Sequence, residues 1–91
     1  MNEMEGLQEG RIVNYVLKGG KIRAAIVVNA WYRTGIVNVM VFLDGTNDGA
    51  AVGSPPMWRT SVHYSEDHEP ETWHWPSKAY IEDKDPDSDP K

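Results

Sequence analysis

Arg11-Ile12-Val13-Asn14-Tyr15-Val16-Leu17, then Lys18-Gly19-Gly20, then Lys21-Ile22-Arg23-Ala24-Ala25-Ile26-Val27-Val28-Asn29-Ala30-Trp31-Tyr32 is the stretch that decides the fold. The first run is rich in β-branched and aromatic residues, which suit a pleated, half-buried surface. A Gly-Gly pair supplies the positive φ angles of a tight hairpin turn. The run from Lys21 to Tyr32 is therefore a second strand antiparallel to the first. Strand alternation puts Ala24, Ile26, Val28 and Ala30 on one face and Ala25, Val27, Asn29 and Trp31 on the other. Both faces are mostly apolar, so this strand is central or strongly bent.

Outward from there the pattern continues. Arg33-Thr34-Gly35 is a second short turn, and Ile36–Leu43 reads as a third strand. Val37, Val39, Val41 and Leu43 share one of its faces; Ile36, Asn38, Met40 and Phe42 share the other. About thirteen turn-rich residues follow, from Asp44-Gly45-Thr46-Asn47-Asp48-Gly49 to Pro55-Pro56. That is long for a compact domain and marks a functional or mobile loop. Met57–Tyr64 is a fourth strand, with Trp58, Thr60 and Val62 on one face and Arg59, Ser61 and His63 on the other. Thr72-Trp73-His74-Trp75 is a short fifth, stopped by Pro76. No helical period and no internal repeat is present. The expected fold is all-β: a small five-stranded antiparallel SH3-like barrel over residues 10–76. An acidic arm, residues 1–9, precedes it. An acidic tail, 77–91, comes after it, disordered when free, with Lys78-Ala79-Tyr80-Ile81 able to add a strand.

The chain has 91 residues, no cysteine and a net charge of −5. That is one domain, and the absent thiols exclude disulfides, thiolate zinc sites and cysteine nucleophiles. No apolar run approaches the roughly 20 residues of a membrane span, and Met1–Gly10 has no apolar region of a leader peptide. These features point to a reducing intracellular compartment. The charge is lopsided: the central segment carries Arg11, Lys18, Lys21, Arg23, Arg33 and Arg59 against Asp44 and Asp48, while both ends are acidic. Solubility explains much of this; a screened basic binding face is the sharper reading.

Four tryptophans are crowded into this short chain. Trp58 and Trp73 read as core fillers. Trp75, at a strand end, is the better candidate for exposure, and with arginine and histidine it would make a stacking platform. His63, His68 and His74 lack the spacing of a metal site, and His74 reads as a partly exposed residue of the polar face. The Asp44–Gly49 loop lacks the acids that a calcium loop needs at its third and twelfth positions. Nothing resembles a nucleophile elbow or a phosphate-cradling glycine loop. Single-stranded nucleic acid is an outside possibility for a small barrel, but the net charge opposes it.

In order along the chain, Gly10–Leu17, Arg23–Val28, Val41-Phe42-Leu43-Asp44-Gly45-Thr46-Asn47-Asp48-Gly49, Trp58-Arg59-Thr60-Ser61-Val62-His63-Tyr64 and Thr72-Trp73-His74-Trp75-Pro76 resemble a family of small uncharacterised proteins of tailed bacteriophages and prophages. Members usually carry a glycine before Thr-Trp-His-Trp, where this chain has Glu71. The resemblance implies viral origin and an SH3-like barrel, and no catalytic residues. The expected function is a non-enzymatic binding module: an accessory inhibitor of host defence that sequesters a nucleotide-like signal or covers a host protein. Its expected ligand-binding groups are Trp58, Arg59, His74 and Trp75, with Asp44, Asn47 and Asp48 on the long loop. No cofactor or metal is expected. A virion structural role, capsid or tail, is the alternative, and a single-strand-binding barrel the second. The host cytoplasm is the expected location, or the virion. Self-association is expected as well, because Trp31, Ile36, Met40 and Phe42 need an apolar environment that one barrel interior does not supply.

Overall fold

The computed structural model describes residues 4–49 and 56–76. Five strands, β1 (Ile12–Val16), β2 (Ile22–Trp31), β3 (Ile36–Val41), β4 (Met57–Tyr64) and β5 (Thr72–His74), close into a barrel in sequence order. One 3-10 turn, Gly45–Asp48, is the only helical element among the described residues. The chain is thus the five-stranded all-β barrel expected from its sequence. Most pairings are antiparallel, but β4 and β5 run parallel, with His63 opposite Thr72 and Tyr64 opposite Trp73. The segment 65–71 is what permits that reversal. The suggested strand at 78–81, the acidic tail and loop residues 50–55 lie outside the described residues.

The barrel interior is narrow, and valine fills it. Val13 and Tyr15 from β1, Ala25, Val27 and Ala30 from β2, Val37, Val39 and Val41 from β3, Val62 from β4 and Trp73 from β5 form one buried cluster. Leu7 of the N-terminal arm joins it, and Met4 packs beside it near the β2–β3 turn, closing that end. Glu9 is tied in as well: its carboxylate accepts from the Tyr32 hydroxyl at 2.7 Å and from the Ala30 N–H at 3.2 Å. The contact with Tyr32 holds the Glu9 carboxyl below its ordinary range and raises the Tyr32 phenol.

Two bulges override simple alternation. In β2 the register against β3 shifts between Val27 and Asn29, so the buried set runs Ala25, Val27, Ala30, and Val28 is exposed where alternation would bury it with Ala30. In β4 the register shifts opposite Asn38. Ser61 takes a φ of 55° there, and its N–H donates to Asn38 Oδ1 at 2.9 Å. An extra residue on one strand bends it and reverses the facing of the residues beyond it. Val62 therefore points inward while Trp58, opposite Met40, points outward and is 48% exposed. The expectation that Trp58 fills the core is corrected accordingly; Trp73 fills it alone, fully buried.

Glu71, just ahead of β5, has a φ of 66°. Left-handed backbone costs a residue with a Cβ about 1–2 kcal/mol, and glycine almost nothing. Glu71→Gly is accordingly expected to stabilise the barrel by about 1 kcal/mol, read as a higher urea midpoint. A midpoint at or below that of the parent would contradict the account.

Candidate functional site: the cationic mouth of the barrel

At the end opposite Leu7 the barrel opens into a cavity of about 370 Å³. Its floor is apolar: Tyr15, Leu17, Leu43 and Met57. Its rim carries Lys18 and Gly19 of the hairpin turn, Lys21, Asn47 and Asp48 of the 3-10 turn, Arg59 of β4, and Glu71. Arg59 reaches the mouth because it pairs with Val39, an inward position. Lying ahead of the bulge, at the barrel's end, it stays in solvent.

The loop at this rim is built by a charge clamp. Arg23 donates through Nε and Nη2 to the two carboxylate oxygens of Asp48, each at 2.7 Å, and through Nη1 to the Ile22 carbonyl at 2.8 Å. Two parallel N–H···O bonds of this kind fix geometry as well as charge. The Asp44 N–H also donates to Asp48, Asp44 accepts from the Asn47 amide at 3.0 Å, and Lys21 Nζ donates to the Asn47 carbonyl at 2.8 Å. Gly49 ends the turn in left-handed backbone, with a φ of 72°. The Arg23 guanidinium, with help from the Asp44 N–H, holds the Asp48 carboxyl below its ordinary range, and Arg23 is raised in turn.

Of the expected ligand-binding residues, Arg59, Asn47 and Asp48 meet at this mouth, with Asp44 beside them. The clamp consumes the Asp48 carboxylate, so Asp48 shapes the rim rather than meeting a ligand. Arg23 is the residue sequence reasoning missed in this role; a basic residue two positions into β2 carries no signal of which loop acid it will find. Lys18 and Arg59 have no hydrogen bond or ion pair with a described residue, which leaves two cations free over an apolar floor.

The other expected residues lie elsewhere. Trp58 stands on the outer face beside Met40. His74 and Trp75 line a separate pocket of about 440 Å³ on the outer wall, with Asn14, Ile22, Arg23, Ala24, His68 and Pro76. His74 is only 6% exposed, against the expectation of a partly exposed residue; the ring of His68 lies flat over it, centroids 3.6 Å apart and planes 14° from parallel. Burial, and then the neighbouring His68, lower the basicity of His74. Among the described residues, no group of three or more His, Asp or Glu side chains stands close enough to hold a metal, and no helix is long and apolar enough to cross a membrane.

The shifts of His74 and Asp48 set an expected pH profile. The unfolded chain protonates His74 near pH 6.5, before the folded chain does, so stability is full above about 6.5 and declines as pH falls below it. Asp48 acts lower: its contribution is present above about pH 4 and is lost as the carboxylate protonates in the folded state. Urea midpoints from pH 8 to 3 should show both falls, and His74→Phe should abolish the first alone. A midpoint flat through pH 5 would show that His74 is not buried as described.

No protein-family model, no curated protein and no solved structure matches this chain.

Proposed function

We propose that this chain is a non-enzymatic binding module of phage origin, an accessory inhibitor of host defence that sequesters a nucleotide-like anion at the mouth of its barrel. The observation that carries the reading is the mouth itself: an apolar floor of Tyr15, Leu17, Leu43 and Met57 under two cations, Lys18 and Arg59, that have no partner among the described residues. A flat apolar ring suits the floor and a phosphate suits the cations, arginine in bidentate fashion. The cavity volume falls within the roughly 300–1,000 Å³ of small-molecule sites. Asn47 and Glu71 on the rim offer acceptors to ribose hydroxyls.

Titration calorimetry with adenosine 5′-monophosphate and guanosine 5′-monophosphate as probes tests this. Saturable binding is expected. Arg59→Ala should weaken it about 10-fold or more, since a charge-assisted hydrogen bond contributes about 1.5–3 kcal/mol. Lys18→Ala should add to that loss, and binding to the parent should weaken as salt rises. Absence of heat and of any thermal shift at millimolar probe would overturn the reading.

One observation favours a virion structural role as the second reading. Ile12 pairs with Ile26, Ile26 with Met40 and Met40 with Trp58, so one apolar rung crosses the outside of four strands. Ala24, Val28, Asn38 and Phe42 flank it, and none of these eight residues is charged. Such a face suits a second copy of the chain. Mass spectrometry of purified virions separates the two readings: stoichiometric presence there ends the inhibitor proposal.

A further inference from the structure

β5 is shorter than the gap it fills. It pairs with β1 on one side, at Asn14 and Tyr15, and with β4 on the other, at His63 and Tyr64. β4 begins earlier, at Met57, toward the mouth. Along Met57–Val62 no described strand pairs with the edge of β4 that looks toward β1. A cavity of about 360 Å³ lies there, lined by Tyr15, Arg59, Thr60, Ser61, Val62 and Glu71. Glu71 marks its inner end, where its N–H donates to the Val16 carbonyl at 2.7 Å. A strand set between two others takes up two spacings of about 4.8 Å, so the opening mouthward of β5 has the width of a single strand.

The β4 backbone at this edge is unanswered among the described residues. The Phe42 N–H donates to the carbonyl of Ala24, its opposite residue, so Phe42 and Met40 turn their backbone groups toward β2. Val39 and Val41 then bond β4, through Arg59 and Met57. Trp58 lies between those two, so its N–H and C=O point away from β3 and into the opening. A strand added there would bond Trp58 and face Met57 and Arg59 in the pairs that bring side chains closest. Met57 belongs to the apolar floor of the mouth, and Arg59, two residues on, turns to the same side. Lys18, Lys21 and Arg59 line the mouth and this opening against Asp48 and Glu71, and the Asp48 carboxylate is already held by Arg23.

We propose that the opening takes an extended segment of a partner protein, which adds a strand beside β4 and sets an apolar side chain opposite Met57 and a carboxylate opposite Arg59. Strand addition to an exposed edge draws affinity from the main chain and specificity from alternate side chains. The excess of cations selects an acidic segment over a basic one. The inference does not rest on the nucleotide reading, although Arg59 serves both.

The probe is the capped peptide acetyl-Thr-Val-Thr-Glu-Thr-Val-Thr-amide, titrated into the full chain and followed by hydrogen exchange of the Trp58 amide. Saturable binding should slow that exchange. The same peptide with lysine for glutamate should bind about 10-fold more weakly, since it sets a like charge opposite Arg59. Trp58→Pro removes the N–H that the added strand needs and none that β3 uses, as proline at a strand edge can. It should lose peptide binding, whereas Trp58→Val should keep it. Circular dichroism checks that the proline variant retains the barrel, and exchange in the parent carries the test independently of that variant. Trp58→Pro should still bind adenosine 5′-monophosphate, so failure of the strand and failure of the nucleotide reading are told apart. No slowing at millimolar peptide, or equal binding of the lysine peptide, overturns the proposal. If the Trp58 amide of the parent is already protected without peptide, or becomes so as the chain is concentrated, the edge is filled by this chain or by a second copy, and the partner reading fails.

Discussion

Trp73→Ala is expected to leave the chain without a cooperative unfolding transition. Trp73 is fully buried at the centre of the barrel, and its indole N–H donates to the Gly35 carbonyl at 2.7 Å. Its ring meets Tyr64 at 4.9 Å and Trp75 at 5.1 Å, both edge-on. Every other large, fully buried side chain except Tyr15 is a valine, too short to fill the space. Truncating a buried tryptophan costs about 3–5 kcal/mol, and leaving a buried carbonyl unanswered costs about 1–3 more. A chain of this length has about 5–14 kcal/mol of stability in all, at about 0.05–0.15 kcal/mol per residue. The loss thus consumes most or all of it. Trp73→Phe keeps a ring in place and should cost less, chiefly the hydrogen bond and part of the volume. Near-ultraviolet circular dichroism and urea titration read both variants. If Trp73→Ala unfolds cooperatively within about 1 kcal/mol of the parent, a single-tryptophan core is the wrong account.

Met40→Glu is expected to abolish self-association. The rung Ile12–Ile26–Met40–Trp58 lies on the outside of the barrel, so association through it runs face to face. In a twofold interface each patch meets its own copy, so a charged patch repels itself and a charge-free one does not. On the curved wall a flat contact takes in about two of these strands, about 4.8 Å apart, by five residues at about 3.3 Å, a strip of roughly 10 by 16 Å. That is a small footprint, in the class of weak, reversible complexes that bury less than about 1,200 Å². Dissociation constants in the micromolar range are expected from it. A carboxylate at Met40 would meet its own copy in a desolvated interface, at a cost of several kcal/mol, or about 100-fold or more in affinity. Sedimentation velocity of the 10.3 kDa chain across the micromolar range gives the answer. A parent that stays monomeric throughout, or a Met40→Glu variant that dimerises like the parent, rules out this face. Lys18→Glu at the mouth is the control that should not matter.

The five strands and their order are legible because each rests on local chemistry: β-branched runs, glycine turns and a proline stop. The faces are less so. A bulge adds one residue to one strand, and its position depends on what the partner strand offers, here the Asn38 side chain that takes up the Ser61 N–H. Alternation counted from the sequence passes straight through such a point, which is why it puts Trp58 inside and Val28 with Ala30. The candidate site divides in the same way. Arg59 and the Asp44–Asp48 loop are recognisable as polar groups in search of a task. That Asp48 is held by Arg23, from a strand more than twenty residues earlier, emerges only when the barrel closes.

By itself, the sequence determined an all-β chain of five strands with a mildly basic middle and acidic ends, because propensity, turn chemistry and net charge act over a few residues. The tertiary structure alone decided which tryptophan is core, which cations remain unpaired at the mouth, and that His74 is buried beneath His68. Those are properties of residues far apart in the chain, fixed by bulges, by a parallel β4–β5 pairing and by the register in which the barrel closes.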